Sequence, residues 1–287
     1  MHKFAILGYP IGHTISPQIH QAGFESLGVN ATYEILETAP ENLIDRIKFL
    51  KANGYSGVNV TIPLKVKIAM FVDSVDKNAD LAGAINTIKI DSEQSMSGFN
   101  TDITGFKSAL PYKDCLTNKE VTILGTGGAS RAVTVACIEA GAKKINFYTR
   151  NIPNALDFVK FFRELAPNVE FTLNQNEMLK DLSSTKLLVN ATPIGMKGHS
   201  ADQSPVNKQV LSTLPKDAIV YDIIYNPTET ILLKDAEKLG YKTISGLDML
   251  VAQAVEAQRI WFGMTPNFEK MKRAGEKALN KFEIDYM

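Results

Sequence analysis

Lys65 and Asp102 are the first two residues whose type and setting suggest chemistry. Each stands just past a β-rich run: Lys65 ends Asn59-Val60-Thr61-Ile62-Pro63-Leu64-Lys65, and Asp102 ends Gly98-Phe99-Asn100-Thr101-Asp102. A lysine beside an aspartate can give or take a proton, so the two form a candidate relay. Thr61 and Asn86, the latter in Gly83-Ala84-Ile85-Asn86-Thr87, add hydrogen-bonding groups at element ends, where open α/β sheets bind ligands. Together Thr61, Lys65, Asn86 and Asp102 suit a polyhydroxylated ring. A lone lysine is usually a solvated surface charge, and only this company argues otherwise. Nearer the start, Gly8-Tyr9-Pro10-Ile11-Gly12-His13-Thr14-Ile15-Ser16-Pro17 sets two hydroxyls, Thr14 and Ser16, ahead of a helix that opens at Pro17. They can hold a carboxylate by neutral hydrogen bonds at a helix N-terminus, or Ser16 can be an ordinary N-cap.

A second kind of chemistry lies in Val121-Thr122-Ile123-Leu124-Gly125-Thr126-Gly127-Gly128-Ala129-Ser130. A short apolar strand runs into a glycine turn and then a helix, the setting in which backbone N–H groups receive a pyrophosphate. Gly125, Thr126, Gly127, Gly128, Ala129 and Ser130 are the candidate cradle. The pattern departs from G-x-G-x-x-G, with Ser130 at the third glycine position; the competing reading is a tight turn with no ligand. The next strand ends Thr149-Arg150-Asn151, with no acid to accept from a ribose hydroxyl. Arg150 can instead pair with a 2′-phosphate, with Thr149 and Asn151 as donors, which favours NADP over NAD; a solvated surface arginine is the alternative.

These groups need two scaffolds. In 287 residues there is room for two domains, and an apolar share of 45% with a charged share of 22% is ordinary for a globular chain. The 31 basic and 31 acidic side chains cancel, which argues against a nucleic-acid partner. The expected partner is a small molecule. The four histidines show no metal-binding spacing, so no metal is expected. Cys115 and Cys137 are read as reduced thiols, the latter on an apolar helical face. With no signal peptide and no membrane-spanning run expected, the protein reads as cytoplasmic, a monomer or homodimer.

Periodicity predicts strands over Lys3–Gly8, Thr32–Glu37, Gly57–Ile62 and Ile85–Ile90, and helices over Pro17–Leu27, Glu41–Asn53 and Leu64–Val72. Asp91–Ser97 reads as a turn. After the polar stretch Pro111–Glu120 come strands Val121–Leu124, Ile145–Tyr148, Lys186–Ala191, Ala218–Ile224 and Lys242–Ile244, with helices Ala129–Ala140, Asn154–Leu165 and Thr230–Leu239. Helices Met249–Phe262 and Asn267–Phe282 close the chain. The alternation implies α/β architecture with mostly parallel sheets.

In this order GYPIGHTISPQIH, NVTIPLK, GAINT, FNTD, GTGGASRA, NATPIGM and GLDMLVAQA resemble the shikimate dehydrogenase family over nearly the whole chain. The resemblance implies an N-terminal α/β substrate domain completed by C-terminal helices (1–103 with 247–287) and an NADP-binding Rossmann domain (104–246). It implies reversible NADPH-dependent reduction of 3-dehydroshikimate to shikimate, in aromatic amino acid biosynthesis. Carried over motif by motif, Lys65 is the proton-transfer residue and Asp102 its partner. Thr14 and Ser16 hold the carboxylate with Tyr225. Thr61, Asn86 and Gln253 bind ring hydroxyls, and Ile223 and Gly246 lie on the nicotinamide side. Three positions depart from the family pattern. Thr14 replaces a serine, which opens a quinate/shikimate dehydrogenase with broader substrate and NAD use as the alternative. Asn154 stands where a second arginine of the 2′-phosphate clamp is expected, which weakens discrimination against NAD. Lys77 replaces an acid ahead of GAINT. A catalytically silent, ligand-sensing relative is the reading from another class, and the intact Lys65 and Asp102 argue against it.

Overall fold

The computed structural model describes residues 1–111 and 113–284. The chain forms two compact units, Met1–Phe106 with Leu250–Met287, and Lys107–Met249.

The first unit begins with β1 (His2–Gly8), α1 (Ser16–Leu27), β2 (Ala31–Glu37), α2 (Leu43–Ala52) and β3 (Gly57–Val60). It continues with β4 (Ser74–Val75), α3 (Lys77–Ala82), β5 (Thr87–Ile90), β6 (Met96–Phe99) and α4 (Asp102–Ser108). The sheet order is β2-β1-β3-β5-β6-β4. β1 pairs parallel with β2 and β3, and β4 with β6, while β5 is antiparallel to both its neighbours. The sheet is therefore parallel-rich with one strand reversed. Alternation along the strands fills both faces. Ala5 and Leu7 point into a core with Leu43, Leu50, Val58, Leu64 and Ile68, whereas Phe4 packs with Phe24, Ala257 and Trp261.

The helix expected over Leu64–Val72 is instead a turn followed by a 3-10 helix, Lys67–Phe71. The Lys65 carbonyl accepts from the Ile85 amide at 2.8 Å, so it is diverted from a helical ladder to tie the GAINT segment down. That same bond keeps Ile85 out of β5, which starts at Thr87. Three elements of this unit fall where no helix or strand is expected, β4, α3 and α4, and β6 begins inside the expected turn Asp91–Ser97.

The second unit carries β7 (Glu120–Leu124), α5 (Gly128–Glu139), β8 (Lys144–Thr149), α6 (Ile152–Leu165) and β9 (Glu170–Gln175). Then follow β10 (Thr185–Asn190), α7 (Lys208–Leu211), β11 (Ile219–Asp222), α8 (Ile231–Lys238) and β12 (Lys242–Ile244). All its strand pairs are parallel, in the order β12-β11-β10-β7-β8-β9. That is the doubly wound dinucleotide-binding order, with its switch point between β7 and β10. α6 buries Ala155, Phe158, Val159 and Phe162, the i, i+3, i+4, i+7 stripe of a helix laid on a sheet. β9 is an edge strand too polar to stand out in the sequence.

α9 (Gly246–Phe262) and α10 (Phe268–Ile284) end the described chain, and α10 packs on α1 within the first unit. Among the described residues no helix is long and apolar enough to cross a membrane.

Candidate functional site

The reversal of β5 assembles the first unit's polar corner. Register pairs Asn59 with Thr87 and Thr87 with Phe99, so the end of β3, the start of β5 and the end of β6 meet at one sheet edge. Lys65 arrives from the turn after β3, Asn86 from just before β5, and Asp102 as the first residue of α4. Lys65 Nζ donates to Asp102 Oδ2 at 2.5 Å. Asn86 Nδ2 donates to Asp102 Oδ1 at 2.8 Å and to Thr101 Oγ1 at 2.9 Å. The Lys65 and Asp102 side chains are 11% and 8% exposed, so the pair is shielded yet open to a small ligand. A surface pair would contribute under about 1 kcal/mol and hold no fixed geometry; this one is held on both carboxylate oxygens.

Gln253, on α9, joins the corner by accepting from Thr101 Oγ1 at 3.3 Å, while its amide nitrogen donates to the Leu250 carbonyl. Thr61 sits four residues before Lys65, its amide donating to the Leu7 carbonyl at 2.8 Å. Thr14 Oγ1 donates to Ser16 Oγ at 3.0 Å, and both side chains are buried. Ser16 is the first residue of α1; its N-cap Ile15 makes no side-chain cap bond, and the Ser16 amide donates instead to Thr14 Oγ1 at 3.2 Å. The capping role open to Ser16 in the sequence is therefore not the one it has, and the two hydroxyls meet at the start of the helix, with Thr14 Oγ1 accepting from its first amide. Tyr225 belongs to the second unit, three residues past β11. Lys77 opens α3 behind the N-cap Asp76, whose side chain accepts from the Ala79 amide; no link to the corner follows.

In the second unit the glycine turn lies at the switch point. Gly125 has φ 99°, and a Cβ there would meet the Ala191 carbonyl oxygen, after β10, at 3.0 Å. Both facts select glycine. Gly127 is the N-cap of α5 and no side chain caps that helix; around a Cβ on Gly127 nothing stands within 4 Å. Ser130 Oγ is buried with no hydrogen-bond partner among the described residues. Uncapped amides, open space and an orphaned hydroxyl fit a pyrophosphate. Thr126 and Ala129 complete the turn, and Thr126 Oγ1 lies 3.5 Å from Thr149 Oγ1. Arg150 is exposed at the end of β8, next to the turn because Leu124 pairs with Tyr148. Asn151 caps α6, its side-chain oxygen accepting from the Asn154 amide at 3.2 Å, which leaves its nitrogen as the free-standing donor group. Asn154 is exposed in the same first turn of helix. Gly246 abuts Ile223 so closely that a Cβ would lie 2.1 Å from the Ile223 carbonyl oxygen.

Sequence reasoning missed a buried cluster beside this turn. Asp222 accepts from Asn190 Nδ2 (3.1 Å), the Ile224 amide (3.1 Å) and Thr230 Oγ1 (2.7 Å). Asn190 in turn accepts from the Thr192 amide and hydroxyl, shaping the NATPIGM loop. The available signal was an aspartate ending the apolar run of β11. Burial pushes the Asp222 carboxyl up to about 6, against three hydrogen bonds that lower it. The folded chain then holds this proton more tightly than the unfolded one, so the group's contribution to stability is fully present below about pH 4 and lost as pH rises through about 6. Asp222→Asn removes that titration. Its unfolding free energy relative to the parent is expected to rise by about 1 kcal/mol between pH ~5 and ~7.5 in urea titrations. An offset independent of pH would remove Asp222 from this role.

Among the described residues no cluster of His, Cys, Asp or Glu could hold a metal ion, and both cysteines are buried and outside any disulfide.

Known proteins resemble this chain in sequence and structure. Residues 6–88 match the family model described as the shikimate dehydrogenase substrate binding domain, and residues 246–274 that of the shikimate 5′-dehydrogenase C-terminal domain. The chain is 35% identical over 283 residues to the shikimate dehydrogenase (NADP(+)) of Methanothermobacter thermautotrophicus, covering 98% of each chain. It is 39% identical over 274 residues to that of Methanocaldococcus jannaschii, covering 94% of each. It is similar in structure to the shikimate 5-dehydrogenase of Thermus thermophilus in complex with NADP(H) and shikimate, with TM-score 0.83, 33% identity and coverage of 97% and 100%.

Proposed function

The chain belongs to the shikimate dehydrogenase family, and we propose that its Lys65 and Asp102 move the proton in the NADP-dependent interconversion of 3-dehydroshikimate and shikimate. The enzyme is an oxidoreductase of the shikimate pathway. The single observation that carries the assignment of roles is the Lys65–Asp102 contact, buttressed by Asn86 at the same sheet edge.

Bound NADPH supplies the hydride, so the protein must orient the ring and manage one proton. During reduction the Lys65 ammonium gives a proton to the carbonyl oxygen at C3 as it becomes a hydroxyl; during oxidation the neutral amine takes it back. Asp102 keeps the Lys65 side chain directed and compensates its charge in a shielded corner. Thr61, Asn86 and Gln253 fix the ring by its hydroxyls. Thr14 and Ser16, with Tyr225, hold the carboxylate. The cradle Gly125–Ser130 takes the pyrophosphate, Thr149, Arg150, Asn151 and Asn154 the 2′-phosphate end, and Ile223 with Gly246 the nicotinamide side. Positioning of this kind can supply several kcal/mol of the barrier reduction, which is why a corner of fixed amides serves the chemistry. Small molecules are the only partners this reading needs, in a cytoplasmic enzyme.

Thr14 favours one second reading. It adds a methyl group beside the carboxylate site, where relatives that also take quinate vary, so breadth toward quinate is the alternative. Initial rates with shikimate and quinate, each with NADP and NAD, test both. Shikimate with NADP is expected to be the fastest pair. Quinate with NAD in first place would overturn substrate and cofactor together, and no shikimate-dependent NADP reduction at all would overturn the enzyme.

A further inference from the structure

We propose that Tyr33, Asn59 and Thr87 form a directed hydrogen-bond chain that positions Asp102 through Asn86, and that the chemical step depends on it. The inference rests on the roles given above to Lys65 and Asp102.

The direction of each bond follows from groups that can act in only one way. The Thr101 amide donates to Asn86 Oδ1 at 2.8 Å, which turns the Asn86 nitrogen toward Asp102. One end of the Asn59 carboxamide faces the Asn86 main-chain carbonyl at 3.3 Å, and only its nitrogen can stand there. Asn59 Oδ1 is thereby turned toward Tyr33, whose hydroxyl donates to it at 2.8 Å. Thr87 Oγ1 lies 3.0 Å from Asn59 Nδ2 and 3.1 Å from Asn86 Oδ1, so it accepts from the first and donates to the second. From Tyr33 onward one continuous run of donors, through Asn59, Thr87 and Asn86, thus leads to Asp102. Bonds aligned in this way polarise one another.

The chain runs across the sheet from β2 through β3 and β5. Register makes this feasible: Tyr33 pairs with Phe4 and Phe4 with Gly57, two residues before Asn59, while Asn59 pairs with Thr87. Its far end is clamped. The His20 ring stacks on Tyr33 with centroids 4.2 Å apart and planes 7° from parallel. Burial raises the Tyr33 phenol well above its ordinary value, so it stays protonated and a donor. Asn59, Asn86 and Thr87 are 5%, 3% and 0% exposed, which leaves little access for water to replace a lost partner.

A structural polar network would serve stability alone. A positioning chain must show in the rate at which bound shikimate is oxidised. The test compares Tyr33→Phe, Thr87→Val and Thr87→Ser in the intact enzyme, reading single-turnover oxidation at saturating shikimate and NADP, the KM for shikimate, and the melting temperature. Tyr33→Phe and Thr87→Val are expected to slow the single turnover about 3- to 10-fold, the range one lost hydrogen bond spans, with KM changed less than about twofold. Thr87→Ser, which keeps the hydroxyl, is expected to recover most of that loss. Equal loss in Thr87→Ser and Thr87→Val, or an unchanged rate in Thr87→Val, overturns the chain. Asp102→Asn separates the two levels: if it too is silent, the roles of Lys65 and Asp102 fail; if it is crippled while Thr87→Val is silent, the chain alone fails.

Discussion

Lys65→Ala is expected to lower kcat for shikimate oxidation by about 10²- to 10⁴-fold, the range that general acid–base groups contribute. Shikimate binding, measured by titration with the cofactor-free enzyme, is expected to change only a few-fold, because in the proposed binding mode Thr61, Asn86, Gln253 and the two hydroxyls at α1 keep the ring. Competing with this simple outcome is the carboxylate left behind. Asp102 is 8% exposed, and removing one partner of a buried pair costs about 3–5 kcal/mol of stability when nothing else compensates. Two things do compensate here: Asn86 Nδ2 donates to Asp102 Oδ1, and the carboxylate sits in the first turn of α4, where the helix dipole favours negative charge. The variant should therefore fold, with a lowered melting temperature. Lys65→Met keeps the length of the stem without the ammonium and separates packing from proton transfer. Both variants should lose turnover alike if the proton is what matters. A kcat within tenfold of the parent in Lys65→Met would take Lys65 out of the role.

How far the sequence foretold this site depends on which kind of contact built it. The glycine turn at Gly125–Ser130 was legible because strand, turn and helix are consecutive, and φ 99° at Gly125 calls for glycine whatever packs against it. The parallel, alternating make-up of the second unit followed from alternation of elements, except β9, whose polar run EFTLNQ lacks a strand's apolar signature; its strand order did not. In the first unit the polar residues could be picked out one by one, but not their arrangement. Alternation implied parallel strands, and a parallel β5 would start at the opposite edge of the sheet, carrying Asn86 away from Asp102. The reversal rests on pairings of high sequence separation, Asn59 with Thr87 and Thr87 with Phe99, which no local pattern encodes. The same reason hid the Asp222 cluster and the path from Tyr33. Each member is an unremarkable polar residue until the sheet registers are known.

Arg150→Ala is expected to raise the KM for NADP about 10- to 100-fold while leaving that for NAD nearly unchanged. A charge-assisted bond from a guanidinium to phosphate is worth about 1.5–3 kcal/mol, and about 1.4 kcal/mol is a factor of ten. Arg150 is exposed, which places the effect toward the lower end and makes it salt-dependent. Thr149 and Asn151 can compensate only in part: the Thr149 hydroxyl already accepts from the Asn151 amide at 3.3 Å, and the Asn151 oxygen is spent on capping α6. Asn154→Arg tests the complementary change. A cation in the first turn of α6 opposes the helix dipole by about 0.3–1 kcal/mol, but in the complex it meets a phosphate dianion, whose attraction outweighs that opposition. The preference for NADP over NAD, taken as the ratio of kcat/KM values at low ionic strength, should rise several-fold in Asn154→Arg and shrink toward unity as salt is added. An Arg150→Ala enzyme that keeps the parent's ratio would mean that Arg150 is a solvated surface residue, and that the cofactor is chosen elsewhere in the second unit.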